Sequence, residues 1–457
     1  MKKKLVVSLL TLAMTVTMLA GCGTAATDGG TKGTDGTTDK TTEGNKEGKV
    51  VNIYCWNDEF QQRYEKYAAD LAKAHGVKVN FVIVANDNNA YQNNLDATLQ
   101  AQDSAKADDK VDVFLIEADY ATKYTKSDYT LDIVGDVGLT EGDLSQQYQY
   151  TRDIVTVDGV QKATSWQATP GLFAYRRSIA KEVLGTDDPV KVQEQLSDWT
   201  KFDGIAAKMK EKGYFMLSGY DDAYRTFSNN MSAPWVDGSK IVVDKNLMQW
   251  VDQTKTYTDK GYNNRTTLWQ PEWSADQGPD GKVFGFFYST WGINFTLMKN
   301  SLADAEGAKA VGNGIYGDYA VCEGPQAYFW GGTWICAAKG TDNIPFIKDM
   351  MKRLTCDKKT MKQITVDTED YTNNKEAMLE IAGSDYASAF LGGQNHIKLF
   401  ASAAEKIDMS NLSDYDQGLN ESFQTAMKDY FEGTVNKDKA LENFYKSAIE
   451  KYPELKK

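Results

Sequence analysis

The hydrophobic pattern divides the chain into three regions of different character. Leu5 to Ala20 is an apolar run of 16 residues behind Lys2, Lys3 and Lys4, interrupted by Ser8, Thr11, Thr15 and Thr17. Gly23 to Lys49 then carries no aromatic and no long aliphatic side chain. From Val50 the pattern becomes that of a folded body. Val50 to Trp56 is an apolar run of strand length, and Phe60, Tyr64, Tyr67, Ala68 and Leu71 follow with helical spacing over 59–75. Gly76 stops that helix, Val77 to Val84 reads as the next strand, and a polar helical stretch over about 89–105 leads to a third strand at Val111 to Ile116. A β-α-β-α-β order predicts a parallel sheet with right-handed crossovers.

Further strand-like segments, 171–176, 214–218, 283–288 and 332–338, lie among helices. The C-terminal part offers two amphipathic helices. Leu419, Phe423, Ala426, Met427 and Tyr430 share a face of the first; Ala440, Leu441, Phe444, Ala448 and Ile449 share a face of the second. With 457 residues the chain is long enough for two or three domains. No Gly-rich linker recurs after Lys49, so two domains would be joined through strands. No internal repeat is found.

The N-terminal run is too short for the ~20 residues of a spanning helix, and its charged start fits a secretory signal. It ends in Leu19-Ala20-Gly21-Cys22, which resembles the bacterial lipobox, with Cys22 as the lipidated residue. Residues 1–21 are therefore expected to be a lipoprotein signal peptide. Residues 22–49 follow as a lipidated tether: 8 Thr and 7 Gly among the 27 positions after Cys22 cannot bury enough surface to offset ordering entropy. A coil of that length spans roughly 30 Å. The expected location is the outer face of the cytoplasmic membrane, with no other segment crossing it.

Charge and composition remove several chemistries. A net charge of −13 argues against a nucleic-acid partner, which needs clustered cations. With only His75 and His396, a two-histidine zinc site of the H-E-x-x-H kind is impossible, and a Ser-His-Asp triad has little support. No cofactor or metal site is expected. Gly312 to Gly317 fits G-x-G-x-x-G without the strand before it or the helix after it, and neither Asp87-Asn88-Asn89 nor Asp367 to Asn374 matches a calcium loop. Cys55, Cys322, Cys336 and Cys356 show no CxxC spacing. They read as small buried hydrophobes, with disulfides left open.

In order along the chain stand Val51-Asn52-Ile53-Tyr54-Cys55-Trp56, Gly76-Val77-Lys78-Val79, Asp112 to Ile116, Ser165-Trp166, Gly171 to Arg176, Phe287 to Gly292, Gly331 to Ile335, and Tyr430 to Thr434 before Ala440-Leu441. Together with the lipobox and the size, this order resembles the family 1 extracellular solute-binding proteins of ABC importers, with a layout similar to maltose-binding protein. The resemblance covers residues 50–457. It implies an α/β, two-lobe (type II) periplasmic-binding-protein-like fold, each lobe a mainly parallel sheet flanked by helices. By analogy, lobe 1 is 50–166 plus 327–365, and lobe 2 is 167–326 plus 366–457. The implied function is that of a non-enzymatic, lipid-anchored monomer that captures a sugar or oligosaccharide and hands it to permease subunits. A surface carbohydrate hydrolase using two carboxylates, or a binding protein for a non-sugar solute, is the alternative.

A sugar site pairs planar carboxylates and amides with hydroxyls, and aromatic rings with C–H faces. In parallel sheets ligands sit beyond the carboxyl ends of the strands. Those ends are Trp56-Asn57-Asp58-Glu59 and Glu117-Ala118-Asp119-Tyr120. In the first, Asp58 with Gln61 also reads as a capping box; the second also reads as a solvated turn. Trp166 and Gln167 lie at the inferred crossing between lobes, where Trp166 reads equally as core. Trp291 stands where the family commonly stacks an aromatic ring on sugar. Trp330 and Trp334 flank Gly331-Gly332, with one of the two expected to face the cleft. Tyr220 and Asp221 follow a strand-like segment, and Gln394 is a candidate rim amide.

Overall fold

The computed structural model describes residues 48–457. The signal-peptide and Cys22 expectations, and the tether up to Glu47, lie outside the described residues. Gly48 and Lys49, assigned to the tether, belong to the body: the Gly48 N–H donates to Asp342 at 2.6 Å and the Lys49 N–H to Asp108 at 2.6 Å. Loop carboxylates satisfy these backbone donors, so the body includes residues ahead of the first strand.

Ten strands carry the architecture: β1 (Val50–Cys55), β2 (Lys78–Ile83), β3 (Val113–Glu117), β4 (Thr164–Ser165), β5 (Gly171–Arg176), β6 (Leu217–Gly219), β7 (Asn263–Thr266), β8 (Gly285–Ser289), β9 (Tyr319–Cys322) and β10 (Thr333–Ala337). One sheet has the order β2-β1-β3-β10-β4; the other is built on β8-β5-β9, with a separate β6–β7 pair beside it. The expected β-α-β-α-β unit is present: β1 runs parallel to both β2 and β3. Val51, Ile53 and Cys55 are fully buried on one side of β1, as a sheet covered by the helix Glu59–Tyr67 requires. The helix predicted over 59–75 breaks into two, Glu59–Tyr67 and Asp70–His75.

The parallel expectation is met by only part of the first sheet. β10 is antiparallel to β3 and β4, and β8 and β9 are antiparallel to β5. The second sheet is antiparallel throughout, and the parallel pairings beside it are β6–β7 and the Phe215–Val283 bridge. The physical reason is connectivity. Parallel neighbours need a helical crossover, but β5 and β10 are reached along extended chain arriving from the other sheet, which imposes no such direction.

The chain passes between the sheets in paired extended segments. Residues 166–170 join β4 to β5, and residues 323–332 join β9 to β10. Pro170 bridges Phe329, and Gln167 bridges Thr372 of a third segment. The backbone bonds Gly171 N–H to Tyr328 O at 2.7 Å and Asn373 N–H to Trp166 O at 2.7 Å fasten all three together. Thr169 sits among them at φ 41°, a strained setting for a β-branched residue. Its hydroxyl donates to Gly331 O at 3.0 Å, and its carbonyl accepts from Ser289 at 3.1 Å.

Aromatic packing fills both bodies. Phe60 stacks on Trp166 with centroids 5.3 Å apart, while Phe173 packs against Phe202 and Phe287 at 5.2 and 5.0 Å. The two C-terminal helices, Asp416–Phe431 and Lys437–Lys451, pair as expected, and Phe423 and Phe444 close on Trp235. The four described cysteines are free thiols, three of them buried. No described helix is long and apolar enough to cross a membrane.

Trp166 is 1% exposed and lies in the first body's core. Trp166→Ala is expected to lower stability by about 3–5 kcal/mol in urea unfolding, the range for emptying a tryptophan site. A loss below about 1 kcal/mol would contradict that placement.

Candidate functional site

The parallel strands β1 and β3 end at the same edge of their sheet, and there the chain turns outward at Trp56 and Glu117. Facing them are loops of the other body: Asp221 after β6, Leu268-Trp269 after β7, Trp291 after β8, and Arg225 on the short helix Tyr224–Ser228. Together with amides of Asn86, Asn88, Asn89, Gln417 and Gln424 these residues, Trp291 excepted, enclose a chamber of about 640 Å³. A second recess of about 300 Å³ lies beyond Trp291 and is lined by Glu59, Arg63, Asn294, Phe295 and Asp370.

A cluster of three indoles separates the two spaces. Trp269 stacks on Trp291 with centroids 5.9 Å apart and planes at 21°, and Trp330 stands against Trp291 at 5.2 Å and 75°. The Trp291 indole N–H donates to Trp330 O at 3.0 Å, which locks ring to backbone. Gly331 is bare because a Cβ there would come within 3.2 Å of the Trp291 Nε1 and 3.5 Å of Glu117, and its φ is 71°. Trp269 is 54% exposed and also left-handed, at φ 69°. A large ring held open to solvent beside two others is a stacking platform rather than core. The Leu268 N–H donates to the Asp221 carboxylate at 3.1 Å and so anchors this loop.

The polar groups are arranged with equal care. Arg225 grips Asp119 with both ends of its guanidinium, Nη1 to Oδ1 at 2.6 Å, spanning the chamber from one body to the other. Glu117 accepts the Asp119 N–H at 2.7 Å. Burial, helped by the Asp119 charge, raises the Glu117 carboxyl to about 8, against the opposing pull of Arg225. Burial and the neighbouring Asp222 raise Asp221 to about 7. Asp222 points the other way, accepting from Gly219 N–H at 2.6 Å and Trp273 Nε1 at 2.9 Å.

The smaller recess has an ionic floor. Arg63 bonds Glu59 at 2.7 Å and Asp370 at 2.8 Å, and the buried Gln167 amide donates to both acids at 3.0 Å. Glu59 and Gln167 thus tie the first helix to two crossing segments.

Of the residues expected at the site, the larger chamber brings together Trp56, Glu117, Asp119, Tyr120, Asp221 and Trp330, and the recess takes Glu59 and Trp291. Others lie elsewhere. Trp166 and Trp334 are core; the Trp334 indole donates to Thr151 O at 2.7 Å, so Trp330 is the member of that pair facing the chamber. Tyr220 is buried against Phe431 at 6.0 Å. Gln394 caps a sheet edge, its amide exchanging two bonds with the Val321 backbone at 2.9 and 2.7 Å. Asn57 and Asp58 line neither space. Asn57 accepts the Glu59 N–H at 3.1 Å, and Asp58 accepts from Gln62, so the capping box with Gln61 does not form.

Trp269, Arg225, Gln417 and Gln424 were not legible as site residues. The available signal for Trp269 was a tryptophan outside any apolar period, just before Pro271. Asn88 and Asn89, weighed for calcium, supply amides to the chamber instead. Among the described residues no group of His, Cys, Asp and Glu could hold a metal.

A family model described as bacterial extracellular solute-binding protein matches residues 66–390. The chain belongs to that family. Among solved structures it is similar to an extracellular solute-binding protein family 1 member, at 16% identity over 87% of this chain and 99% of the other, with TM-score 0.71. It is also similar to the ABC-transporter-associated binding protein of B. animalis subsp. lactis Bl-04 in complex with β-1,6-galactobiose (17% identity, 90% and 99% coverage, TM-score 0.67). A third is the galacto-N-biose-/lacto-N-biose I-binding protein of Bifidobacterium longum (14%, 89% and 97%, TM-score 0.66). The fold is therefore the two-lobe type II binding-protein fold. Among curated proteins no match is found.

The raised carboxyls carry a sign for stability. Glu117 and Asp221 keep protons in the native state that the unfolded chain loses near its ordinary values of 4.5 and 3.8. Their contribution to stability falls as pH rises from that range to about 8. Melting temperatures of the ligand-free protein across that interval should fall more steeply than those of Glu117→Gln and Asp221→Asn. Parallel curves would contradict the burial of these acids.

Proposed function

We propose that this protein is a lipid-anchored extracellular receptor that captures an oligosaccharide between its lobes, unchanged, and delivers it to the permease of an ABC importer. The observation that carries the reading is the wall of Trp269, Trp291 and Trp330 set between two polar spaces. Indole faces cover sugar C–H surfaces, while Glu117, Asp119, Asp221 and the surrounding amides meet hydroxyls. A wall with space on both sides suits more than one sugar unit. The sugar-bound state of similar proteins supports this choice of ligand.

The lobes proposed are 50–166 with 327–365 and 167–326 with 366–457. Ligand contacts from both would favour the closed form, because only a difference in affinity between open and closed states shifts a hinge. Trp56, Glu117, Asp119 and Tyr120 act from lobe 1; Asp221, Arg225, Trp269 and Trp291 act from lobe 2. The anchor is Cys22 after the lipobox Leu19-Ala20-Gly21. The protein works as a monomer without cofactor.

Calorimetry over an oligosaccharide panel, with the sugar recovered and analysed, tests the reading. Saturable binding of intact sugar is expected; released products would replace it with a hydrolase. Trp269→Ala and Trp291→Ala should each cost about 1–3 kcal/mol of binding with the fold intact, and unchanged affinity removes that ring from the site. Cys22→Ser should shift the protein from the membrane to the soluble fraction, and continued lipid labelling would overturn the anchor.

A further inference from the structure

Four carboxylates and one guanidinium line the larger chamber among the described residues, and their partners are unequal. Asp119 is matched at both oxygens by Arg225. Glu421 is matched by Lys451 at 3.0 Å. Glu117 and Asp221 have no ion-pair partner in the described structure. Each accepts a backbone N–H, from Asp119 at 2.7 Å and from Leu268 at 3.1 Å. The nearby Lys428 turns its ammonium to Thr267 Oγ1 at 3.1 Å instead.

Two partly buried carboxylates without a direct ion-pair partner favour a proton or a cation. Trp56, Trp269 and Trp330 line the same chamber, and indole faces attract cations. The chamber's guanidinium gives its end-on fork to Asp119, so that fork is not free for an anionic ligand. These features select by charge as well as by shape.

Resting on the receptor reading above, we infer that the solute is an amine-bearing sugar: its ammonium supplies the counter-charge that Glu117 and Asp221 lack while its rings lie on the tryptophan wall. A neutral sugar fits the same wall but leaves both acids to be neutralised by protons. An acidic sugar meets a surface of its own sign. Complementary charge here adds specificity to a stacking site that any sugar could use.

The test is calorimetry of the full mature chain with matched oligomers of glucose and galactose, each as the neutral form, the free-amine form, the N-acetylated form and the uronate. The free-amine oligomer is expected to bind roughly tenfold or more tightly than its neutral and acetylated counterparts, with the uronate weakest. That preference should shrink at high salt. It should also shrink in Glu117→Gln and Asp221→Asn, neutral replacements of similar shape whose folding is checked by circular dichroism. Equal affinity for neutral and amine forms overturns the inference and leaves the receptor reading standing. An amine preference undiminished in both variants overturns the assignment to these acids. Binding of no sugar in any form overturns the receptor reading and this inference with it.

Discussion

Everything at the site depends on the extended segments that pass between the sheets being hydrogen-bonded to one another. Pro170 pairs with Phe329 and Gln167 with Thr372, so neither sheet can be placed without the other's chain. This pairing demands close approach. A Cβ on Gly171 would stand 2.1 Å from the ring of Tyr328, whose single hydroxyl proton is shared between Leu172 O and Tyr288 O, each at 2.8 Å. Only glycine admits that ring, and the ring in turn ties β5 to β8. Because Trp330 and Gly331 lie on the same crossing segment, the stacking wall is part of the hinge rather than an ornament on one lobe. The Trp291 bond to Trp330 O couples the second body to it directly.

The beginning of the fold was legible because two periods agree there. Alternation through Val51, Ile53 and Cys55, helical spacing through Phe60 and Tyr64, and a glycine stop at Gly76 leave one arrangement open to the chain, a parallel doubly wound sheet. The antiparallel half was not legible. Strand direction depends on where the chain comes from, and a β10 segment rich in Trp, Ile and Cys carries no sign of its heading. Site residues divide along the same line. Glu117 and Asp119 follow an unbroken apolar strand, so their position at its carboxyl end was visible. Trp334 and Trp330 have the same chemistry and stand four positions apart, yet one is core and the other lines the chamber. What separates them is the turn at Gly331 and Gly332, at φ 71° and 116°, which reverses the side a ring faces. Gln394 had the right side chain for a hydroxyl and is used instead as a surrogate strand for Val321.

On the proposed reading, the Asp119–Arg225 pair sets how a ligand enters. Both side chains are partly shielded, 25% and 20% exposed, so the pair is neither a freely screened surface contact nor a dry interior one. Replacing Arg225 at Asp119 by a hydroxyl would leave the guanidinium without its carboxylate, which costs more than one new hydrogen bond returns. A ligand that keeps the pair intact and bonds to its free lone pairs avoids that loss. The pair is therefore a wall of the chamber contributed half by each body. On the proposed reading, Trp269 and the amides select shape, while the charge left over resides on Glu117 and Asp221, the acids without a direct ion-pair partner in the described structure.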